Sequence, residues 1–131
     1  MTGIERAAPA DPTGAADETR PVVEARGLER DYAFGKETIH ALRGVTFGIP
    51  DGDYVAIVGP SGCGKSTLLN LLGAIDRPTR GSVIIRGTDV AGMQDRQATS
   101  FRLRNIGFVF QRFYLMPTLT ARENVELPMA E

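Results

Sequence analysis

At 131 residues the chain is long enough for one ordinary domain and too short for two, and 42% hydrophobic residues supply a real core. Lys plus Arg is 15 against 16 Asp plus Glu, a formal net charge of −1, which gives no global reason for nucleic-acid binding or adsorption to an acidic membrane. One cysteine and one histidine exclude an internal disulfide and any metal site built from several Cys or His ligands, and the apolar runs fall far short of the roughly 20 residues of a spanning helix. The opening residues have no basic n-region followed by an apolar stretch, so they do not read as a secretory signal, and the chain is expected to be soluble and cytoplasmic.

Residues 1–21 carry five alanines, three prolines and six charges, with almost nothing apolar beyond Ile4. Such a segment cannot bury enough surface to offset its ordering entropy, so a disordered tail is expected, with a regulatory or docking tail as the functional alternative. From Val22 the texture turns to β. Residues 22–28 and 40–49 alternate loosely and predict two antiparallel strands joined through 33–38. Asp51-Gly52-Asp53 is a turn, and the continuous run Tyr54-Val55-Ala56-Ile57-Val58 predicts a strand buried on both faces. After a glycine-rich loop, Leu68, Leu69, Leu71, Leu72 and Ile75 recur at helical spacing, up to a stop at Arg77-Pro78-Thr79. Further on, 82–86 predicts a strand, 87–89 a turn, 94–104 an Arg-rich surface helix and 106–110 another strand. Residues 119–125 read as the start of a helix capped by Thr118 or Thr120. This order points to an α/β domain over residues 22–131 with an antiparallel β subdomain at its N-terminal side.

The stretch Gly59-Pro60-Ser61-Gly62-Cys63-Gly64-Lys65-Ser66-Thr67 contains G-x-x-x-x-G-K-[ST], between a strand pattern and an amphipathic helix. Its glycines let successive N–H groups point at one spot, and with the positive end of the following helix they make an anion site suited to di- and triphosphates. Lys65 can reach the β- and γ-phosphates, the Ser66 hydroxyl can take one place on Mg²⁺, and Thr67 is a further hydroxyl for phosphate contact. Of only two lysines among 15 basic residues, one stands at the motif position. The loop is read as a nucleotide-phosphate site, against a plain glycine turn without ligand. Cys63, beside a helix N-terminus, is placed for thiolate character and not for nucleophilic catalysis, because no base lies near it in sequence.

The segments LRGVTFGIPDGDYVAIVGPSGCGKSTLLNLLGAIDRPTRGSVIIRGTDV and LRNIGFVFQRFYLMPTLTARENVELP resemble the ATP-binding subunit of ABC transporters, most of all the lipoprotein-release and macrolide- or peptide-export branch. The resemblance implies a phosphate-loop NTPase core with an N-terminal antiparallel β subdomain, incomplete at the C-terminus. It implies ATP and Mg²⁺ as ligands, with Tyr32 as the aromatic that stacks on adenine, the alternative being a tyrosine that packs at a strand end. Gln111, after the strand expected at 106–110, resembles the Q-loop glutamine, whose amide carbonyl ligates Mg²⁺ or orients water near the γ-phosphate. The segment from Arg112 to Arg122, with Phe113, Tyr114, Leu115 and Met116 in succession, would meet a membrane-spanning permease subunit, unless those residues form a local core cluster. A second ATP-binding subunit would complete a dimer, and the assembly would sit at the inner face of the cell membrane.

The same resemblance calls for parts this sequence does not hold. There is no LSGGQ-like signature and no apolar run followed by Asp-Glu, and the only histidine, His40, precedes the phosphate loop. A full subunit of this kind is nearly twice as long, so the chain is expected to be the N-terminal half of an ATPase that binds nucleotide without turnover by itself. A natural short nucleotide-binding module is the alternative of another class. An unrelated phosphate-loop kinase is disfavoured by Tyr32, Gln111 and the roughly thirty ordered residues ahead of the loop.

Overall fold

In the computed structural model, which describes residues 4–6 and 21–129, a short strand β1 (Ile4–Arg6) precedes a long hairpin of β2 (Val23–Phe34) and β3 (Glu37–Ile49). Strand β4 (Val55–Ile57) leads through the glycine loop into helix α1 (Lys65–Leu72), and β5 (Arg80–Ile85) and β6 (Thr88–Asp89) follow. Helices α2 (Asp95–Asn105) and α3 (Ala121–Glu126) and a 3₁₀ turn, Leu127–Met129, complete the described elements. The predicted strand pair is confirmed and extends well past its expected limits. Val23 pairs with Ile49 at one end and Phe34 with Glu37 at the other, across a tight turn at Gly35-Lys36 where Gly35 takes φ 62°.

The main sheet runs β3-β2-β5-β6, antiparallel throughout. The tight connection from β5 to β6 is made by Arg86 and Gly87, both with positive φ (48° and 77°), the backbone that matches the strand twist in a two-residue hairpin. Between Arg26 and Glu29 the β2 register slips against β5, and Gly27 (φ 55°) donates its N–H to Thr46 Oγ1 at 2.8 Å. Gly81 (φ 88°) passes so close to this bulge that a Cβ on it would lie 2.4 Å from the Gly27 carbonyl oxygen.

Helix α1 covers this sheet. Leu68 and Leu71, both 1% exposed, join Ala25 and Leu28 of β2, Leu42 of β3 and Val83 and Ile85 of β5 in one apolar core. The two leucines three apart are the buried stripe that the helical spacing predicted. Burying aliphatic side chains of this kind contributes about 1.5–3 kcal/mol each. Ile75 does not belong to the stripe, because the helix ends at Leu72, before the expected stop. Gly73 donates its N–H to Leu69 O (2.8 Å), Ala74 donates to Leu71 O (3.0 Å) and takes φ 52°, and the chain turns away. A Cβ on Gly73 would stand 2.6 Å from Cε1 of Phe108, whose ring fills that space.

Two further expectations are corrected. Residues 106–110 are not a strand: Ile106 caps α2 by donating to Arg102 O (3.0 Å), and 107–110 pair with nothing among the described residues. Strand character needs a hydrogen-bonded neighbour, which an apolar run cannot supply by itself. For the same reason β4 is not buried on both faces; Tyr54 is 84% exposed, and among the described residues β4 pairs only with β1, with Ile4 opposite Ile57. That pairing also places Ile4–Arg6 in a strand, inside the segment expected to be a disordered tail; the remainder of 1–20 lies outside the described residues. The cap prediction holds at Thr120. It accepts from Glu123 N–H (3.3 Å), while its own N–H and hydroxyl donate to Glu123 Oε2 (2.7 and 2.8 Å), and the two bonds to Oε2 hold the Glu123 carboxyl below its ordinary pKa.

Replacing Gly81 with Ala forces a side chain into both a left-handed backbone and the Gly27 carbonyl, so urea unfolding should show a loss of about 1–3 kcal/mol. Gly87→Ala, where a Cβ meets open space, should lose only about 1 kcal/mol from its left-handed φ.

Candidate functional site

The loop 59–64 lies between the end of β4 and the first turn of α1, so one backbone must leave an extended strand and enter a helix within a few residues. Gly62 and Gly64 make this possible with φ 78° and 95°, the left-handed region where a side chain is strained. Gly64 has a second constraint. A Cβ there would lie 2.7 Å from Ala41 O and 3.0 Å from Leu42 Cδ2, so the loop is seated directly on β3. Its carbonyl accepts the Leu68 N–H at 2.9 Å, the first hydrogen bond of the helix, and Cys63 N–H donates to Pro60 O across the loop at 3.4 Å.

The beginning of α1 is bare of competing groups. No side chain caps it and its first turn holds no acidic residue, so its free N–H groups and the positive end of its dipole are available to an anion. Lys65 folds back over the loop, its ammonium donating to Gly59 O (2.9 Å) and Pro60 O (2.7 Å), with Cys63 Sγ at 3.7 Å. Two neutral carbonyls are weak partners for a cation compared with phosphate oxygens, so the ammonium is stored where a triphosphate can take it over. Ser61, Gly62 and Ser66 are exposed, while Cys63 and Thr67 are half-buried. Thus Gly59, Pro60, Ser61, Gly62, Cys63, Gly64, Lys65, Ser66 and Thr67 form one contiguous cradle, with the Ser66 hydroxyl at its rim. Among the described residues no cluster of three or more His, Cys, Asp or Glu could hold a metal ion. The donor set suits Mg²⁺ that arrives with phosphate oxygens and water already around it.

Tyr32 lies on β2 opposite Ile39 and is half-buried. Its hydroxyl donates to Asp76 Oδ2 at 2.9 Å, and the Arg30 guanidinium carbon stands 4.5 Å from the ring centroid. Arg30 also pairs with Asp76, Nε to Oδ2 at 2.9 Å and the terminal nitrogen to Oδ1 at 2.9 Å. Burial disfavours the charge on Arg30, but Tyr32 and Asp76 outweigh it and hold its pKa above the ordinary guanidinium value. Arg30 and Asp76 escaped the sequence reading. The available signal was slight: Arg30 and Tyr32 are two apart on a strand, hence on one face, but nothing local ties them to a residue more than forty positions on.

Gln111 is exposed in a bend after 107–110 and hydrogen-bonds to none of the loop residues. Just beyond it, Phe113, Tyr114 and Leu115 are exposed at 88%, 70% and 66%, so the local-core alternative does not describe them. Phe108 stacks on Phe110 (centroids 5.6 Å apart), and Phe110 meets the edge of Tyr114 at 5.3 Å. Asn124 of α3 clamps the segment, accepting from Met116 N–H at 2.7 Å and donating to Met116 O at 3.2 Å.

Comparison with known proteins agrees with this geometry. The family model described as ABC transporter matches residues 42–131. An uncharacterized ABC transporter ATP-binding protein of Thermotoga maritima is 53% identical over 110 residues, 84% of this chain and 47% of the relative. The lipoprotein-releasing system ATP-binding protein LolD of Alcanivorax borkumensis is 50% identical over 109 residues, 83% of this chain and 48% of the relative. Among solved structures, a dimeric ATP-binding cassette from Methanocaldococcus jannaschii, MJ0796, in a post-hydrolysis state with ADP and Pi superposes with a TM-score of 0.77. It is 47% identical, and the match covers 82% of this chain and 46% of that one. The chain therefore spans about half the length of the relatives it matches.

With Gly64 seated on β3, Gly64→Ala should weaken binding of inorganic tripolyphosphate about tenfold or more in calorimetric titration. Gly52→Ala, at a turn glycine with φ 80° and open space around it, should leave that affinity unchanged.

Proposed function

The chain belongs to the ABC transporter family, and from that premise we propose that it forms the nucleotide-binding part of an ATP-binding subunit that powers export or lipoprotein release. The observation that carries this reading is the Lys65 ammonium held on two loop carbonyls beside an uncapped, acid-free helix start. Triphosphate entering the loop displaces those carbonyls, and Lys65 then bonds the β- and γ-phosphoryl oxygens while the free N–H groups of α1 take the others. Tyr32 stacks on the adenine, an interaction worth about 1–3 kcal/mol by analogy with base stacking on aromatics. Mg²⁺, when bound, neutralises charge on the phosphates; the Ser66 hydroxyl and the Gln111 amide carbonyl are the groups of this chain that would hold it.

Gln111 reaches the nucleotide by movement of its bend, which carries no charge penalty for a neutral amide. Directly after it, the exposed aromatic and aliphatic stretch between Arg112 and Arg122 is the surface for a membrane-spanning permease subunit, so a shift of Gln111 and a shift of that surface are linked through one short piece of chain. A second ATP-binding subunit faces the loop in the working assembly, which lies at the cytoplasmic face of the membrane. No helix among the described residues is long and apolar enough to cross a membrane.

Phosphoryl transfer is almost entirely positioning and charge stabilisation. These 131 residues include no signature sequence, no acidic pair after an apolar strand and no histidine beyond the glutamine. The chain alone therefore binds MgATP and does not turn it over at the rate of a complete subunit.

Equilibrium binding of a fluorescent ATP analogue should give a saturable signal that Lys65→Ala reduces about tenfold or more, with phosphate release at background in both proteins. A steady-state rate well above background, lost in Lys65→Ala, would overturn the proposal of binding without turnover. Cys63 reports on the same loop. MgATP should slow its alkylation by a maleimide, and unchanged labelling at saturating MgATP would show that the thiol does not border bound nucleotide.

A further inference from the structure

Arg30 and Tyr32 project from one face of β2, and both converge on a carboxylate that belongs to the other side of the site. Asp76 lies four residues past the last residue of α1, and its own N–H donates back into that helix, to Asn70 O at 3.2 Å. Its carboxylate accepts the Tyr32 hydroxyl at 2.9 Å and both arms of the Arg30 guanidinium at 2.9 Å, and Arg77 N–H adds a bond to Oδ1 at 2.8 Å. Arg30 and Asp76 are about three-quarters covered, with side-chain exposures of 24% and 27%, so the charged pair is partly shielded from competing water.

This arrangement has two consequences for the ring. Arg30 sits over one face at 4.5 Å from the centroid, which leaves the opposite face for a stacking partner. The hydroxyl bond and the guanidinium together hold the ring in one orientation, so a base stacking on it need not first order it. The carboxylate that does this hangs from the C-terminal end of the helix whose N-terminal end receives the phosphates. Tyr32 and the glycine loop are thereby joined through the eight-residue helix and the turn after it, which the Asp76 N–H ties back to Asn70 O.

We infer that Asp76, with Arg30, is a positioning residue that fixes the Tyr32 ring for the adenine of bound nucleotide and couples that platform to the phosphate-loop helix. The inference rests on the proposed stacking role of Tyr32.

The test compares ATP with inorganic tripolyphosphate, each with Mg²⁺, in calorimetric titrations of the 131-residue chain and its variants. Asp76→Ala should weaken ATP binding about fivefold and leave tripolyphosphate within about twofold, since only the base uses the platform. Tyr32→Ala should lose about tenfold for ATP, again without effect on tripolyphosphate, and the double variant should bind ATP no more weakly than Tyr32→Ala. Native ATP affinity in Asp76→Ala, with the loss intact in Tyr32→Ala, overturns positioning and leaves stacking standing. Native affinity in Tyr32→Ala removes the stacking role itself, and positioning with it. Equal losses for ATP and tripolyphosphate in Asp76→Ala mean that the carboxylate only supports the helix, which also overturns the inference. Should Asp76→Ala lose its circular-dichroism spectrum, Tyr32→Phe decides: it deletes the same hydrogen bond and keeps the ring, so an approximately fivefold ATP-specific loss sustains positioning and native affinity refutes it.

Discussion

Everything around the phosphate loop depends on the absence of one side chain. Gly64 lies against the Ala41 carbonyl and the Leu42 side chain so closely that a methyl group would overlap both. It also takes a left-handed backbone, and its carbonyl begins the hydrogen bonding of α1. The contact fixes where the helix starts relative to β3. From there Leu68 and Leu71 reach the core formed with Ala25, Leu28 and Val83. The position of the helix N-terminus at the glycine loop and the burial of the sheet face are thus two results of the same placement.

Electrostatics at the two ends of α1 differ in kind. Its first turn holds no acidic residue, and Lys65 is engaged by carbonyls of its own loop and by the Cys63 sulfur. Just past its end, Asp76 is fully engaged, with Arg30, Tyr32 and a backbone N–H around its carboxylate. The start of α1 thus keeps its N–H donors uncapped, while the carboxylate just past its end is fully partnered. The surface pairs elsewhere, such as Arg26 with Glu24 and Arg122 with Glu126, are exposed and contribute little.

The region after α2 follows a different logic. Gly73 leaves room for the ring of Phe108, Phe110 stacks on it, and Tyr114 meets Phe110 by an edge contact. Phe113, Leu115 and Met116 have no such support and remain exposed, although Asn124 fixes the backbone beside them at Met116. The backbone is thus held firmly under unburied aromatic side chains.

The sequence by itself determined the features whose physics is local. The G-x-x-x-x-G-K-S stretch from Gly59 to Ser66, between a strand pattern and a helix pattern, announced a tight glycine loop at a helix start. Loose alternation in residues 22–28 and 40–49 announced the hairpin, the leucine spacing announced the buried stripe of α1, and a threonine at 118 or 120 announced a helix start, which the structure assigns to Thr120. Tertiary structure decided what depends on a distant partner. Whether 106–110 or 54–58 becomes a buried strand is set by a neighbour in the sheet and not by its own apolar residues. Ile75 dropped out of the expected helix because the chain turns away at Gly73 and Ala74, where Ala74 takes φ 52°. The link from Tyr32 to Asp76 spans 44 positions, and no period or motif encodes a hydrogen bond that exists only once a strand and a helix end have been brought together by the core between them.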